Sequence, residues 1–311
     1  MKNVLLAILV LSAIACSETD TEIERELAPV QVHEWGVLTW SGDNPVLSAV
    51  PGTASPESLL PDHPITDEDG FLLRAPVLYF HGPAFSGSVT VKTDNGSIFD
   101  IYPPVPDEDR NYNYCTWTAD FGYEPVEEYP NFNGMAPGEW NYDLWRTSDA
   151  LSISRADGWA DKFLYYETAP ASTDFLPYRP GMESLCEEHM DIKALVIKNG
   201  RDGVFYSHCT LRDIVYGGDI EAKDMKSDDI LRILYDWSID VIYFEEVDAL
   251  WNTWSSWVLR DHMNEPAYSN GLVMYVIPAE LTEKLSTISV VPDGSHYTVD
   301  ISRYLIVAMP L

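Results

Sequence analysis

The chain has 311 residues, with 50 acidic side chains against 19 basic ones and a formal charge of −31. At 46% hydrophobic and 12% aromatic it carries enough apolar surface for a core, which excludes a globally disordered chain. The acidity also excludes a phosphate-backbone binder, because counterion release needs clustered Lys and Arg, so no nucleic-acid partner is expected.

The chain opens as an address. Met1-Lys2-Asn3 is a short positive start, and residues 4–14 form an apolar run of signal-peptide length, too short to span a bilayer. Ala13-Ile14-Ala15-Cys16 then resembles a bacterial lipobox, with Ala13 where Leu is usual. The resemblance implies cleavage before Cys16 and lipidation of that cysteine, which anchors stably once more than one acyl chain is attached. The competing reading is an ordinary secretory peptide cut after Ala15. Residues 1–15 are therefore read as a lipoprotein signal peptide and 16–28 as a flexible acidic tether. Residues 29–311 are read as one continuous globular unit, β-rich over 29–145 and mixed α/β over 146–311.

Residues 30–40, 77–80, 88–93 and 97–102 read as strands from their apolar, β-branched and aromatic content. A three-residue Asp94-Asn95-Gly96 loop would join the last two as a hairpin, pairing Val91 with Phe99 and Val89 with Ile101. Residues 43–70 and 103–140, rich in Pro, Gly, Asp and Asn, read as long loops. The second carries Tyr112, Tyr114, Trp117 and Trp140, an aromatic surface suited to a glycan or peptide. Further on, 161–167, 193–198, 204–208, 272–277 and 304–308 read as strands, the second and third as a hairpin turning at Asn199-Gly200. Ser227 is placed to cap a helix with Asp228 and Asp229 in its first turn and a stripe of Ile230, Ile233, Leu234 and Trp237. A second helix over 245–260 carries Val247, Leu250, Trp251, Trp254 and Val258 at helical spacing, and a third follows Pro278 over 279–286. The fold class expected is α+β, with a sandwich-like β-rich N-terminal half followed by a mixed strand–helix C-terminal half.

Three cysteines follow Cys16, so at least one is unbridged. Cys186 and Cys209 flank the 193–208 hairpin, and a disulfide between them is the first expectation in an exported chain. The alternative is a zinc set of Cys186, His189, His208 and Cys209. Adjacent strand residues such as His208 and Cys209 point to opposite faces, which counts against it.

His33-Glu34-Trp35-Gly36 with Thr39, Ala75-Pro76-Val77-Leu78-Tyr79-Phe80, Tyr102-Pro103, Lys162-Phe163-Leu164-Tyr165-Tyr166, the Glu246/Thr253-Trp254/Trp257 spacing and Met274-Tyr275-Val276-Ile277-Pro278 occur in that order. The ordered set resembles a family of secreted bacterial proteins with EWG-x-x-T, PVLYF, KFLFYR and E-x6-TW-x-x-W motifs and no established activity. The resemblance implies one continuous unit and assigns no catalytic residue. This chain departs from it at Glu167, where the family tends to Arg, and at His33, where Phe is more usual.

Glu34, Glu246 and His33 are the candidates for acid–base chemistry. On a strand His33 and Glu34 face opposite sides, so they form no dyad alone, and an inward Glu34 needs a partner such as Arg74 or Arg146. Glu246 shares a helical stripe with Leu250, Thr253 and Trp257, and must be paired or raised in pKa. First-turn placement alone also accounts for its charge. The seven histidines show no His-Glu-x-x-His spacing, and there is no nucleophile elbow or phosphate loop. No cofactor is expected, Ca²⁺ at the short acidic runs and Zn²⁺ at the Cys/His set being the alternatives. The sequence thus describes a lipid-anchored protein of the bacterial cell envelope, partnered by the bilayer through acylated Cys16. Its expected role is binding or structural, the alternative being an envelope hydrolase with a carboxylate- or metal-centred site.

Overall fold

A computed structural model of the protein describes residues 29–39, 72–94, 96–130, 142–147, 149–170, 172, 174–200, 203–218, 220, 223–224, 226–294 and 296–311. The signal peptide, Cys16, the tether, the 43–70 loop and Trp140 lie outside them. In chain order the strands are β1 (Val30–Thr39), β2 (Leu72–His81), β3 (Phe85–Lys92), β4 (Ser97–Tyr102), β5 (Arg110–Asn111), β6 (Tyr114–Gly122), β7 (Ser152–Ser154) and β8 (Ala160–Asp161). They continue as β9 (Leu164–Ala169), β10 (Lys193–Gly200), β11 (Gly203–Thr210), β12 (Lys223–Asp224), β13 (Leu272–Val276), β14 (Thr287–Pro292) and β15 (Val299–Pro310). Among the described residues the α-helices are α1 (Leu211–Tyr216), α2 (Ser227–Ser238), α3 (Phe244–Leu259) and α4 (Ala279–Thr282). The protein is α+β, with mostly strands early and its helices late, as the sequence pattern implies.

A nine-stranded sheet runs in the order β12-β11-β10-β13-β15-β1-β2-β9-β4, interleaving strands from both parts of the chain. Its centre is the parallel pair β1–β15, with Glu34 opposite Arg303. Where central strands are buried on both faces, as over Val77–Phe80 of β2 and Tyr304–Met309 of β15, their side chains read as continuous apolar runs rather than as an alternation. Val77, Leu78, Tyr79 and Phe80 are all fully buried. One face receives α2 and α3, burying Trp35, Val37, Val77, Tyr79 and Tyr304 against Leu234, Val247, Leu250, Trp254 and Trp257. Half of the other face meets a second sheet, β14-β3-β6-β7-β8, across a core of Val30, Val32, Leu78, Phe80, Val89, Val91 and Trp117. The remaining half carries Leu38, Val196, Leu305 and Val307 against Leu211 of α1 and Leu281 of α4.

The structure corrects three local expectations. β3 and β4 do not pair: β3 lies between β14 and β6, while β4 pairs β9 in the other sheet. Val89, Val91 and Ile98 still share one core, because the two strands face each other across the sandwich. Second, residues 114–122, read as loop, form β6, which buries Cys115, Trp117, Ala119 and Phe121 and turns Thr118 and Asp120 outward. Third, α2 begins at Ser227 with no side-chain cap, Lys226 occupying the cap position. The 193–208 hairpin forms, with Ala194 opposite Cys209, but Asn199 and Gly200 are not its turn: they still pair with Val204 and Gly203 as part of the strands.

Candidate functional site: a buried His–Glu–His centre

His33 on β1 and His81 on β2 both project from the helix-covered face, since each lies at an even number of residues from a side chain in that core, Trp35 and Tyr79 respectively. Antiparallel pairing sets His33 opposite Tyr79 and Gln31 opposite His81, so the two imidazoles are diagonal neighbours. The first turn of α3 docks above them and lowers Glu246 between the rings. His33 Nδ1 lies 2.9 Å from Glu246 Oε2, and His81 Nε2 lies 2.8 Å from Oε1. The Tyr243 backbone N–H also donates to Oε2, at 2.9 Å. His33, His81 and Glu246 are 6%, 4% and 1% exposed.

Tyr243 lies over both rings, edge-on, with centroids 4.7 Å from each. It is 41% exposed, so it stands between the centre and solvent, and its hydroxyl donates to Gln31 Oε1 at 3.1 Å. Burial works to raise the Glu246 pKa, but hydrogen bonds and charge from His33 and His81 outweigh it and hold the carboxyl below the usual range.

His81 Nδ1 lies 3.3 Å from the Asp149 carbonyl oxygen. A carbonyl only accepts, so this contact is a hydrogen bond in the forms of His81 that carry a proton on Nδ1, whereas the other neutral tautomer donates from Nε2 to Glu246. Take the form with the proton on Nδ1. A neutral His81 would then turn the bare lone pair of Nε2 toward a carboxylate oxygen. That contact is attractive only if the ring carries a second proton or a cation lies between the two atoms. Among the described residues, two groups bring three potential ligand atoms within 4.8 Å of one another, and His33–His81–Glu246 is the buried one.

Of the sequence candidates, the structure brings His33 and Glu246 together. Glu34 faces the opposite side of β1, where it pairs with Arg303 Nε and accepts from the Tyr166 hydroxyl. Ser286 completes that network, its Oγ 2.8 Å from the Tyr166 hydroxyl and 2.7 Å from an Arg303 guanidinium nitrogen. Arg146 instead holds Asp161, and the side chain of Arg74 lies outside the described residues.

The four-residue zinc alternative does not converge. His208 turns toward Trp237 of α2, with ring centroids 6.0 Å apart, while Cys209 packs on the opposite face of the sheet. Cys186 and His189 approach each other with Glu188 on one turn, as the second of the two groups, with Cys186 and Glu188 exposed and His189 buried. Cys115, Cys186 and Cys209 all stand as thiols, with no Cys186–Cys209 bond formed. Burial pushes the Cys209 thiol up to about 11, which disfavours thiolate at neutral pH. In the aromatic region Trp117 is core, its indole N–H donating to the Pro103 carbonyl at 2.8 Å, whereas Tyr112 is exposed and Tyr114 half-buried. Among the described residues the acidic run 107–109 forms no metal-ligand group.

His81 is the site residue the sequence reading missed. The strand ending at Phe80 stopped one residue short, and extending the alternation Val77, Tyr79 by one step would have put His81 on the His33 side. Comparison with protein-family models, curated proteins and solved structures found no match for this chain.

Proposed function

We propose that the protein is an exported, lipid-anchored envelope protein working through a divalent transition-metal centre at His33, His81 and Glu246, zinc being the first choice. The observation that carries the reading is the His81 ring, held by a backbone carbonyl on one nitrogen while its other nitrogen faces a carboxylate 2.8 Å away. A carbonyl on the far nitrogen is the usual device that fixes a metal-ligating imidazole. Two imidazoles and one carboxylate also form a ligand set of catalytic zinc, with the fourth position left to water or substrate. That composition moves the envelope-hydrolase alternative ahead of a purely structural role. The N-terminal lipobox resemblance supports the anchor.

The test is metal content by mass spectrometry on protein purified without chelators, followed by calorimetric titration of zinc into stripped protein. About one zinc per chain is expected, lost in His33→Ala and His81→Ala and weakened at least about tenfold in Glu246→Gln. Folded variants that bind zinc like the wild type, or a wild type that binds none, overturn the reading. Circular dichroism on each variant separates loss of metal from loss of fold.

A second reading keeps the aromatic surface as a contact for a glycan or peptide. It rests on a groove of about 230 Å³ lined by Tyr112 and Tyr114 together with Ile98, Ile101 and Arg110.

A further inference from the structure

A second group of converging ligands lies on the turn that leads into β10. Cys186 Sγ, a Glu188 carboxylate oxygen and a His189 ring nitrogen all lie within 4.8 Å of one another. The three residues fall within four consecutive positions, and the local fold brings them together. Glu187–His189 is a single turn of 3-10 helix with Cys186 at its N-cap. Three residues complete such a turn, so side chains at i and i+3 eclipse, which sets His189 over Cys186. Glu188 reaches round from the next position, its Oε1 3.7 Å from His189 Nε2.

The turn is fixed before any ligand arrives. The His189 N–H donates to the Cys186 carbonyl at 3.0 Å, and the Ile192 N–H to the His189 carbonyl at 3.3 Å. The start of α1 clamps it from outside, with the Arg212 N–H donating to the Met190 carbonyl at 3.1 Å and the Leu211 N–H to the Ile192 carbonyl at 2.9 Å. From the end of α1 the Tyr216 hydroxyl accepts from the Leu185 N–H at 3.1 Å. Donors held this way spend little ordering free energy when an ion binds.

The spacing also fits an ion better than it fits a bonded pair. At 3.7 Å, His189 Nε2 and Glu188 Oε1 are too far apart for a hydrogen bond. They are closer than the summed length of a Zn–N and a Zn–O bond, about 4.2 Å, so one ion can reach both. His189 is 9% exposed, which anchors one donor in the fold, while Cys186 and Glu188 face solvent, from which the ion would enter. A thiolate beside an imidazole selects zinc-like transition ions, whereas Ca²⁺ and Mg²⁺ take oxygen ligands.

We infer that Cys186, Glu188 and His189 form a second metal site, which takes a thiophilic divalent transition ion at the surface and leaves a further position to solvent. Binding replaces the thiol proton, which passes to solvent. The site stands apart from the buried His33–His81–Glu246 centre and shares no ligand with it. With two of its three donors exposed it exchanges its ion freely, so it fills on addition of metal, beyond the single ion retained at the buried centre.

The test is titration of cobalt(II) into the reduced, chelator-free protein, followed by absorption. Cobalt bound to a thiolate gives an intense sulfur-to-metal charge-transfer band, which two histidines and a carboxylate cannot give. The band should saturate at about one equivalent for the site. Cys186→Ser should abolish it, and His189→Ala should weaken the cobalt affinity at least about tenfold. Cys209→Ser and His33→Ala/His81→Ala should leave the band in place, so loss of the buried centre and loss of this site are read separately. A folded wild type with no such band overturns the inference, as does a band that survives Cys186→Ser. Unchanged affinity in a folded His189→Ala would reduce the site to a single thiol and overturn it too.

Discussion

Glu34 and Glu246 are both buried carboxylates, and their partners separate their roles. Glu34 is neutralised by Arg303, its direct cross-strand neighbour, and is also bonded by the Tyr166 hydroxyl. Burial and the nearby Glu34 charge raise the Tyr166 pKa well above its ordinary value, so this hydroxyl stays protonated and donates. Each carboxylate oxygen already has a buried partner, and the network pins the central parallel strands. Arg303→Met should therefore cost about 3–5 kcal/mol, because it leaves a buried charge unpaired. Glu34→Gln/Arg303→Met should recover most of that loss, since no charge then remains. Urea unfolding of the three proteins checks it, and a double variant no more stable than the single would remove the ion pair from the account. Glu246 has imidazoles in place of a guanidinium, and an imidazole can surrender its proton to a metal. That both carboxylates sit inside was legible, because each lies within an apolar pattern. Which partner each meets was not. Arg303 and His81 are 269 and 165 positions away in sequence and reach their carboxylates through strand order and helix docking.

At the scale of elements, periodicity located strands better than it paired them. The alternation over 88–93 and 97–102 says that each has a buried face, and says nothing about whether the partner is beside it or across a core. The linking residue decides it. A Cβ at Gly96 would lie 2.4 Å from the Ala169 carbonyl oxygen, so the chain passes tight against the end of β9 as it crosses from one sheet to the other. Gly96→Ala should destabilise by about 1–3 kcal/mol, as overpacking against fixed backbone does. An unchanged urea midpoint would mean that this crossing is looser than the structure draws it. β6 failed for a different reason. Its alternation of Cys115, Trp117, Ala119 and Phe121 with Thr116, Thr118 and Asp120 is regular, but it follows a run of Pro, Asp and Asn that reads as loop. The two long helices were legible, since α3 buries Val247, Leu250, Trp251, Trp254, Trp257 and Val258 on one broad face, whereas α1 was not read from the sequence and α4 ends at Thr282, short of the expected 286.

At the scale of the whole molecule, charge and anchor have to be considered together. A chain at −31 is repelled by anionic lipid headgroups, and residues 17–26 carry part of that charge. No described helix is long and apolar enough to cross a membrane, and the exposed apolar side chains near α3, Ile239, Tyr243 and Phe244, are few. Electrostatics therefore opposes membrane association, and the acyl chains proposed on Cys16 must supply it alone, at about 0.8 kcal/mol per buried CH₂. This makes a sharp expectation for the full chain expressed in a bacterium. The protein should fractionate with membranes and stay there through a high-salt wash, because screening removes a repulsion rather than an attraction. Cys16→Ser should move it wholly to the soluble fraction, with no residual salt-sensitive pool. A Cys16→Ser protein that remains on membranes would show that a protein surface, rather than lipidation, holds it there. Release of the wild type by salt would point to a cationic partner rather than the acyl chains as what holds it there.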